Sequence, residues 1–542
     1  SLVGSEMCIR DRIYCEDENC IFYKYKMPKR MSIPVYFVDE EIYNKCPTVI
    51  LATVDKFANL PWNPSSNALF GRVDRKCERD GYIAMGISHE NRHNATSKLP
   101  AANVVKIKPF APPELIVQDE LHLITGPLGT IYGAYETIIQ DLCSYTANGK
   151  KILPKYIVST ATIKNASEQI RCLYGRNRSM QFPANGFEIG DSFFIKEIPT
   201  TEKPFRKYVG ISASGQSMKT TTLRVYAIVL QTVSELMADE KYKGAIDPYY
   251  TLVGYFNSIR ELGGTVRLLQ DDIPKRINRL KKKYKFATTR YLNKKIEITS
   301  RIASSDITKR LKELEVSIDQ KGALDTAIAT NMIAVGMDVD RLGLMSVMGQ
   351  PKQNSEYIQA TSRIGRQHPG LVFTMYNPYR PRDLSHYENF VGYHSQLYRY
   401  VEGTTATPFS ARARDRVLHA LVIAALRLEM PEYADNMKAN DIGALTAAQK
   451  DQLCNVILDR LAIVNPQARE ETKDEIERFL GDWQCIAAQS KKLVYYVGNK
   501  YLDKYNRLMN YYSEDCSITE KGTLNSMREV EASATLFYWT ED

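Results

Sequence analysis

Short apolar runs separated by polar, turn-rich stretches fill the first three-quarters of the chain. Between residues 33 and 163 the runs fall at 34–38, 48–54, 115–117 and 155–158. Continuous apolar runs of this length fit strands covered on both faces, and their spacing leaves room for crossover helices, so they predict strands of a parallel sheet. A proline- and lysine-bearing stretch at 197–204 reads as a linker. A second alternation follows, with strands predicted at 208–211, 250–255, 326–329, 343–348 and 371–376 and a helix over 222–237. From about residue 412 the period changes, and amphipathic helices are predicted over 415–428 and 447–463. The pattern implies an α/β fold of two similar lobes followed by a helical C-terminal region. The expected divisions are 13–200, 205–410 and 411–542. Residues 1–12 carry no helical or strand pattern and read as an artefactual leader, with the native chain beginning further upstream.

At 542 residues, 44% hydrophobic and 25% charged, the composition is that of a multidomain globular protein. No window approaches the roughly 18 uninterrupted apolar residues of a membrane helix, and no secretory signal is visible, so the cytoplasm is the expected location and no membrane partner is expected. The net charge of +9 permits a polyanionic partner without requiring one. The stretch 275–285, KRINRLKKKYK, is dense in cations and suits a phosphate backbone, or equally a solvated helix face. Ten scattered cysteines argue for reduced thiols. Cys15 and Cys20 form C-x4-C, half of a candidate Zn2+ site, and Cys77, His89 and His93 are further soft ligands.

The chemistry concentrates at a few strand ends. Residues 117–130 read VQDELHLITGPLGT, which places Asp119, Glu120 and His122 directly after the apolar run at 115–117. The C-terminal edge of a parallel sheet is where α/β proteins hold ligands. An NTPase needs one carboxylate to hold Mg2+ and a second to orient water, and adjacent acids at a strand end supply both. STAT follows the run ending at Val158, and its Ser159, Thr160 and Thr162 are small hydroxyl residues able to bond the acidic strand end beside them. Further along lie YYTLVGYFNS with Asn257, ATNMIAVGMDVD with Thr330, Gly336 and Asp338, and QATSRIGR with Gln359, Arg363 and Arg366. Arg363 and Arg366, three apart, share one side if the segment is helical.

These stretches match, in order, motifs II to VI of the superfamily 2 helicases and translocases. With their flanks, among them GYFNSIRELGG, GQPKQNSEYIQATSRIGR and YNPYRPRDLSHYENF, they resemble the DrmA family, the large helicase-like subunits of the DISARM anti-phage defence systems. The resemblance covers residues 33–530. It implies two RecA-like lobes, the first incomplete, and ATP-driven action on DNA, single-stranded or duplex with a single-stranded end. It also implies a DrmB-type partner subunit. It assigns Asp119 to Mg2+, Glu120 to the attacking water, and Arg363 and Arg366 to the γ-phosphate. His122, Gln359, Gly336 and Asp338 are implied around the nucleotide, and Ser159, Thr160 and Thr162 are implied to couple hydrolysis to lobe movement. For nucleic acid, Thr53 of TVDKF, Asn257, Thr299, Ser300 and Arg301 of ITSR, and Thr330 are the candidates.

The phosphate-cradling G-x-x-x-x-G-K-[ST] does not occur in the sequence. Its nearest counterpart, starting at Gly210, has Gln216 where lysine belongs and lies at the start of the second lobe. The expectation is a truncated motor, with that loop upstream and little hydrolysis by this polypeptide. Two other readings stand beside it: a non-hydrolysing nucleic-acid-binding scaffold and an RNA helicase.

Overall fold

The computed structural model describes residues 13–23, 25–26, 33–96, 99–160, 164–184, 186–187, 191–199, 201–203, 205–299, 302, 304–330, 339–489 and 492–528. The chain forms two compact units. One takes the chain up to Thr160, Asn165–Ser179 and everything from Thr404 on; the other takes Met180–Gly403 with a short piece before residue 165.

The first unit opens with an antiparallel sheet in the order β2-β1-β4-β3, made of β1 (Val73–Cys77), β2 (Gly81–Ala84), β3 (Arg92–His93) and β4 (Ala102–Lys106). Then come β5 (Leu115–Gln118), the hairpin of β6 (Tyr145–Ala147) and β7 (Lys150–Ile152), and β8 (Lys155–Val158). Asn148 and Gly149 turn that hairpin, both at positive φ, which is the Asn-Gly signal for a tight primed turn. β5 and β8 pair in parallel, Leu115 opposite Lys155 and Gln118 opposite Val158. The runs at 34–38 and 48–54 are not strands: 39–45 is a helix (Asp39–Lys45) and 54–59 a 3-10 helix (Val54–Asn59). Apolar content alone does not make a strand without a ladder partner, and Leu51 stands 93% exposed.

The helix Gly126–Leu142 is buried along most of its length, with Tyr132, Tyr135, Ile138 and Leu142 in the core. Its cover includes the C-terminal helices Ala411–Glu429 and Ala447–Val464. A buried polar group ties them together. Glu136 accepts from the Tyr132 hydroxyl at 2.8 Å and from the Tyr156 hydroxyl, while Arg460 donates to the carbonyls of Leu173 at 2.9 Å and Glu136 at 3.4 Å. Arg427 is also buried, donates to the carbonyls of Pro61 at 2.6 Å and Ala434 at 2.9 Å, and lies 4.1 Å over the Tyr495 ring. A buried guanidinium persists only where its donors find acceptors, and here backbone carbonyls provide them.

The second unit is a six-stranded, wholly parallel sheet in the order β11-β12-β10-β13-β14-β9. Its strands are β9 (Arg206–Ser212), β10 (Leu252–Phe256), β11 (Lys295–Ile298), β12 (Thr326–Ala329), β13 (Leu344–Met348) and β14 (Gly370–Tyr376). Side chains alternate between two cores rather than between core and water. Val253, Tyr255, Ala327, Met345 and Val347 enter one, with Tyr357 of the helix Asn354–Ser362; Leu252, Phe256, Ile328, Leu344 and Met348 enter the other, with Tyr226 and Leu230 of the helix Met218–Ala238. Each such aliphatic or aromatic side chain contributes about 1.5–3 kcal/mol by leaving water. The basic stretch is the helix Ile273–Tyr284, which buries Ile277 and Leu280 and carries Lys281, Lys282 and Lys283 in its last turn.

Candidate functional site

Parallel pairing of β5 with β8 brings the ends of two motifs together. The Ser159 amide donates to Gln118 O at 2.9 Å and the Leu121 amide to Ser159 O at 3.0 Å, so the ladder continues one step past the strands. That step sets the Ser159 hydroxyl on Asp119 Oδ1, which also accepts from the Glu120 amide at 2.9 Å. The Ser159 hydroxyl and then the Glu120 amide hold the exposed Asp119 carboxyl below the usual carboxylate range. Glu120 itself has φ +52°, a left-handed backbone that turns the chain sharply into the 3-10 helix Leu121–Leu123. His122 is buried, its Nδ1 3.2 Å from Glu120 Oε2 and 3.3 Å from Thr160 Oγ1. Asp119, Glu120, His122, Ser159 and Thr160 thus form one bonded group, with an anionic carboxylate open to solvent and able to hold a divalent cation.

Sequence reasoning missed the residue that props this loop. Gln169, buried on the helix Ala166–Tyr174, donates to Ile124 O at 3.0 Å and Leu121 O at 3.4 Å, and accepts from the Thr404 hydroxyl. Its only sequence signal is an amide on the apolar side of a short amphipathic helix.

In the second unit Asn257, Thr299 and Thr330 follow β10, β11 and β12, three neighbouring strands, and so gather at the carboxyl edge of the sheet. Their side chains are not equally available. Asn257 donates its amide to Met348 O at 3.1 Å and Gly349 O at 2.8 Å, so it ties β10 to the turn after β13. Thr299 is fully buried and donates to Glu297 Oε1 at 2.9 Å, which removes its hydroxyl from any phosphate. Thr330 is 7% exposed, and Thr53, in the first unit, is exposed ahead of its 3-10 helix. Thr162, Ser300, Arg301, Gly336 and Asp338 lie outside the described residues.

The helix bearing Gln359 ends at Ser362, so Arg363 caps it and Arg366 lies beyond, exposed; they do not share a helix face. The cause is Gly365, at φ +72° and packed so close to Gly370 that a Cβ there would meet its backbone at 2.7 Å. The aromatic block at 379–400 is divided. Tyr393 and His394 are packed inward, with the Tyr357 hydroxyl 3.0 Å from His394 Nε2, while Tyr379 and Tyr398 are about 70% and 67% exposed. Cys77, His89 and His93 do converge, but on Asp80, in a group that includes neither Cys15 nor Cys20.

Comparison with known proteins places these motifs in context. The family model described as the helicase conserved C-terminal domain matches residues 272–368, inside the second unit. The DISARM protein DrmA of Bacillus paralicheniformis is 52% identical over 532 residues, 97% of this chain and 46% of that protein. The chain thus resembles DrmA over nearly its own whole length. The chain spans somewhat under half the length of DrmA. Nucleolar RNA helicase 2-B of Xenopus laevis is 26% identical over 88 residues, 16% of this chain and 11% of its own. Among solved structures, the DUF1998 helicase MrfA bound to DNA is 16% identical, with a TM-score of 0.39, over 58% of this chain and 35% of its own. The helicase Lhr of Mycobacterium smegmatis bound to ssDNA and AMP-PNP is 14% identical, with a TM-score of 0.37, over 67% and 38%.

Proposed function

We propose that this chain is part of an ATP-dependent DNA helicase or translocase motor acting in anti-phage defence, beside a DrmB-type partner subunit in the cytoplasm. The single observation that carries the reading is the bonded group in which Ser159 holds Asp119 and Thr160 meets His122. A motor must transmit the state of its nucleotide to the rest of the protein, and a hydroxyl pair bonded directly to the acidic residues is a way to do so. The likeness to DrmA supports the same reading.

Bound Mg2+–ATP supplies the phosphoanhydride to be cleaved. Asp119, whose carboxyl the Ser159 hydroxyl and Glu120 amide hold below the usual range, would hold Mg2+. Glu120 orients and accepts the proton of the attacking water, while Arg363 and Arg366 stabilise charge on the transferring phosphoryl. Thr330 and Thr53 contact the nucleic-acid backbone through hydroxyls, which carry no base information.

The test is ATP hydrolysis by a polypeptide extended upstream through a phosphate-binding loop, with and without single-stranded DNA or RNA. DNA should stimulate it. Arg366→Ala should lower kcat by about 1000-fold or more. Ser159→Ala should spare basal hydrolysis more than strand displacement. A second reading is a non-hydrolysing scaffold; absent hydrolysis with an intact loop would establish it, and stimulation by RNA alone would defeat the DNA assignment.

A further inference from the structure

The antiparallel sheet β1–β4 has little apolar core of its own. Its buried cluster is Cys77, Ile83 and Ala102, with Ile87 and Val104 packed alongside. Small sheets with so little to bury generally need another staple, most often a disulfide or a metal. Four side chains meet at one end of this sheet. Cys77 closes β1, Asp80 stands in the turn to β2, His89 follows β2, and His93 lies in β3.

Their donor atoms all lie within 4.8 Å of one another. Asp80 Oδ2 is 3.4 Å from Cys77 Sγ, 3.1 Å from His89 Nε2 and 2.9 Å from His93 Nε2. A tetrahedral ion with bonds of about 2.0–2.3 Å sets its ligands about 3.3–3.7 Å apart. The contacts to Asp80 need to open by at most a few tenths of an ångström, and the remaining pairs, all within 4.8 Å, lie within about 1 Å of that spacing.

The outward-facing atoms carry the argument further. His89 Nδ1 is 2.7 Å from Glu90 O, and His93 Nδ1 is 3.4 Å from Glu90 Oε2. A metal-bound imidazole holds the ion on one nitrogen and turns the other to a carbonyl or carboxylate; His89 hydrogen-bonds in this way and the His93 ring has the Glu90 carboxylate beside its Nδ1. The Arg79 amide points at Cys77 Sγ from 3.4 Å. His93 Nε2 is buried and, although near Asp80, lacks hydrogen-bonding geometry toward it. Lone pairs on both atoms directed at a shared ion would produce that arrangement. In sequence the ligands read C-x2-D-x8-H-x3-H, the zinc-finger order C-x2–4-C then H-x3–5-H with a carboxylate in place of the second thiolate.

We propose that Cys77, Asp80, His89 and His93 form a structural zinc site that holds this sheet together. Four protein ligands close the coordination sphere, so the ion has no open position for substrate. The Cys77 thiol releases its proton to solvent as the Zn–S bond forms, and thiolate plus carboxylate balance the dipositive charge.

The experiment measures metal in the full 542-residue chain. Wild type reconstituted with Zn2+ and desalted should hold roughly one zinc per chain by elemental analysis. Cys77→Ser and His89→Gln should lose it, while Cys15→Ser and Cys20→Ser should keep it. Replacement of zinc by Co2+ in the wild type should give tetrahedral visible bands with a thiolate-to-cobalt charge-transfer band, a readout that requires no variant to fold. Failure of the wild type to take up zinc, a cobalt spectrum lacking the thiolate band, or zinc retained by Cys77→Ser would each overturn the site and leave a hydrogen-bonded cluster.

Discussion

At the scale of single residues, backbone conformation and burial decide more than side-chain chemistry. Gly365 ends the arginine-bearing segment with φ +72° against the Gly370 backbone. Alanine there adds left-handed strain of about 1–2 kcal/mol and a clash that flexible side chains cannot relieve. Gly365→Ala should therefore lower unfolding stability by at least about 2 kcal/mol in denaturant titration, whereas Gly392→Ala, whose Cβ meets nothing within 4 Å, should not. His419 shows the same dominance of environment. Burial first, then the charge of Lys521, depresses its pKa from 6.5 to about 4, and its Nε2 is bonded to Thr523 Oγ1 at 3.0 Å. The folded state keeps the ring neutral while the unfolded chain protonates near 6.5. The stabilisation is thus present above pH 6.5 and is lost as pH falls toward 4, by an amount on the order of 3 kcal/mol. The slope of stability against pH in that window should flatten in His419→Gln.

At the scale of elements, the parts legible in the sequence are those whose burial is local. The runs at 326–329, 343–348 and 371–376 lie within one residue of β12, β13 and β14, because a central parallel strand must be apolar on both faces and has few alternatives. β11, Lys295–Ile298, is an edge strand with Lys295 exposed and Glu297 half-buried, so its two apolar residues are too few to register as a run. β1 is harder still: VDRKC buries only its ends, and its partners are set by the hairpin and by Cys77. The acidic loop was legible as a motif, but its support from Gln169 was not, since one buried amide leaves no periodic trace. Helix ends are local too. Thr446 and Gln449 form a reciprocal capping box on the helix Ala447–Val464, which carries Arg460 inward. Thr446→Ala should cost about 1 kcal/mol in denaturant unfolding.

At the scale of the whole molecule, the two units differ in how far along the chain their contacts reach. The second closes within 180–403, and its strands are joined by crossovers of ordinary length. The first is built from segments hundreds of residues apart: Trp62 Nε1 donates to Leu524 O at 2.9 Å, Asp55 accepts from the Met527 amide at 2.7 Å, and Arg427 reaches Pro61 O. No window of sequence shows such pairings, which is why the early runs read as strands of a sheet they do not join. The same difference sets a prediction. Truncation after Gly403 removes the cover of the Gly126–Leu142 helix, exposing its side of the core along with Glu136, stripped of Arg460. A helix that loses its apolar partners gives up about 1.5–3 kcal/mol for each large side chain returned to water, which summed over the face is comparable to the whole stability of a domain. The 1–403 polypeptide should lose the cooperative transition of the first unit and become protease-sensitive before residue 180, while 180–403 keeps its protected core. Persistence of two cooperative transitions in calorimetry of the truncated chain would show that the C-terminal helices are cover and not core.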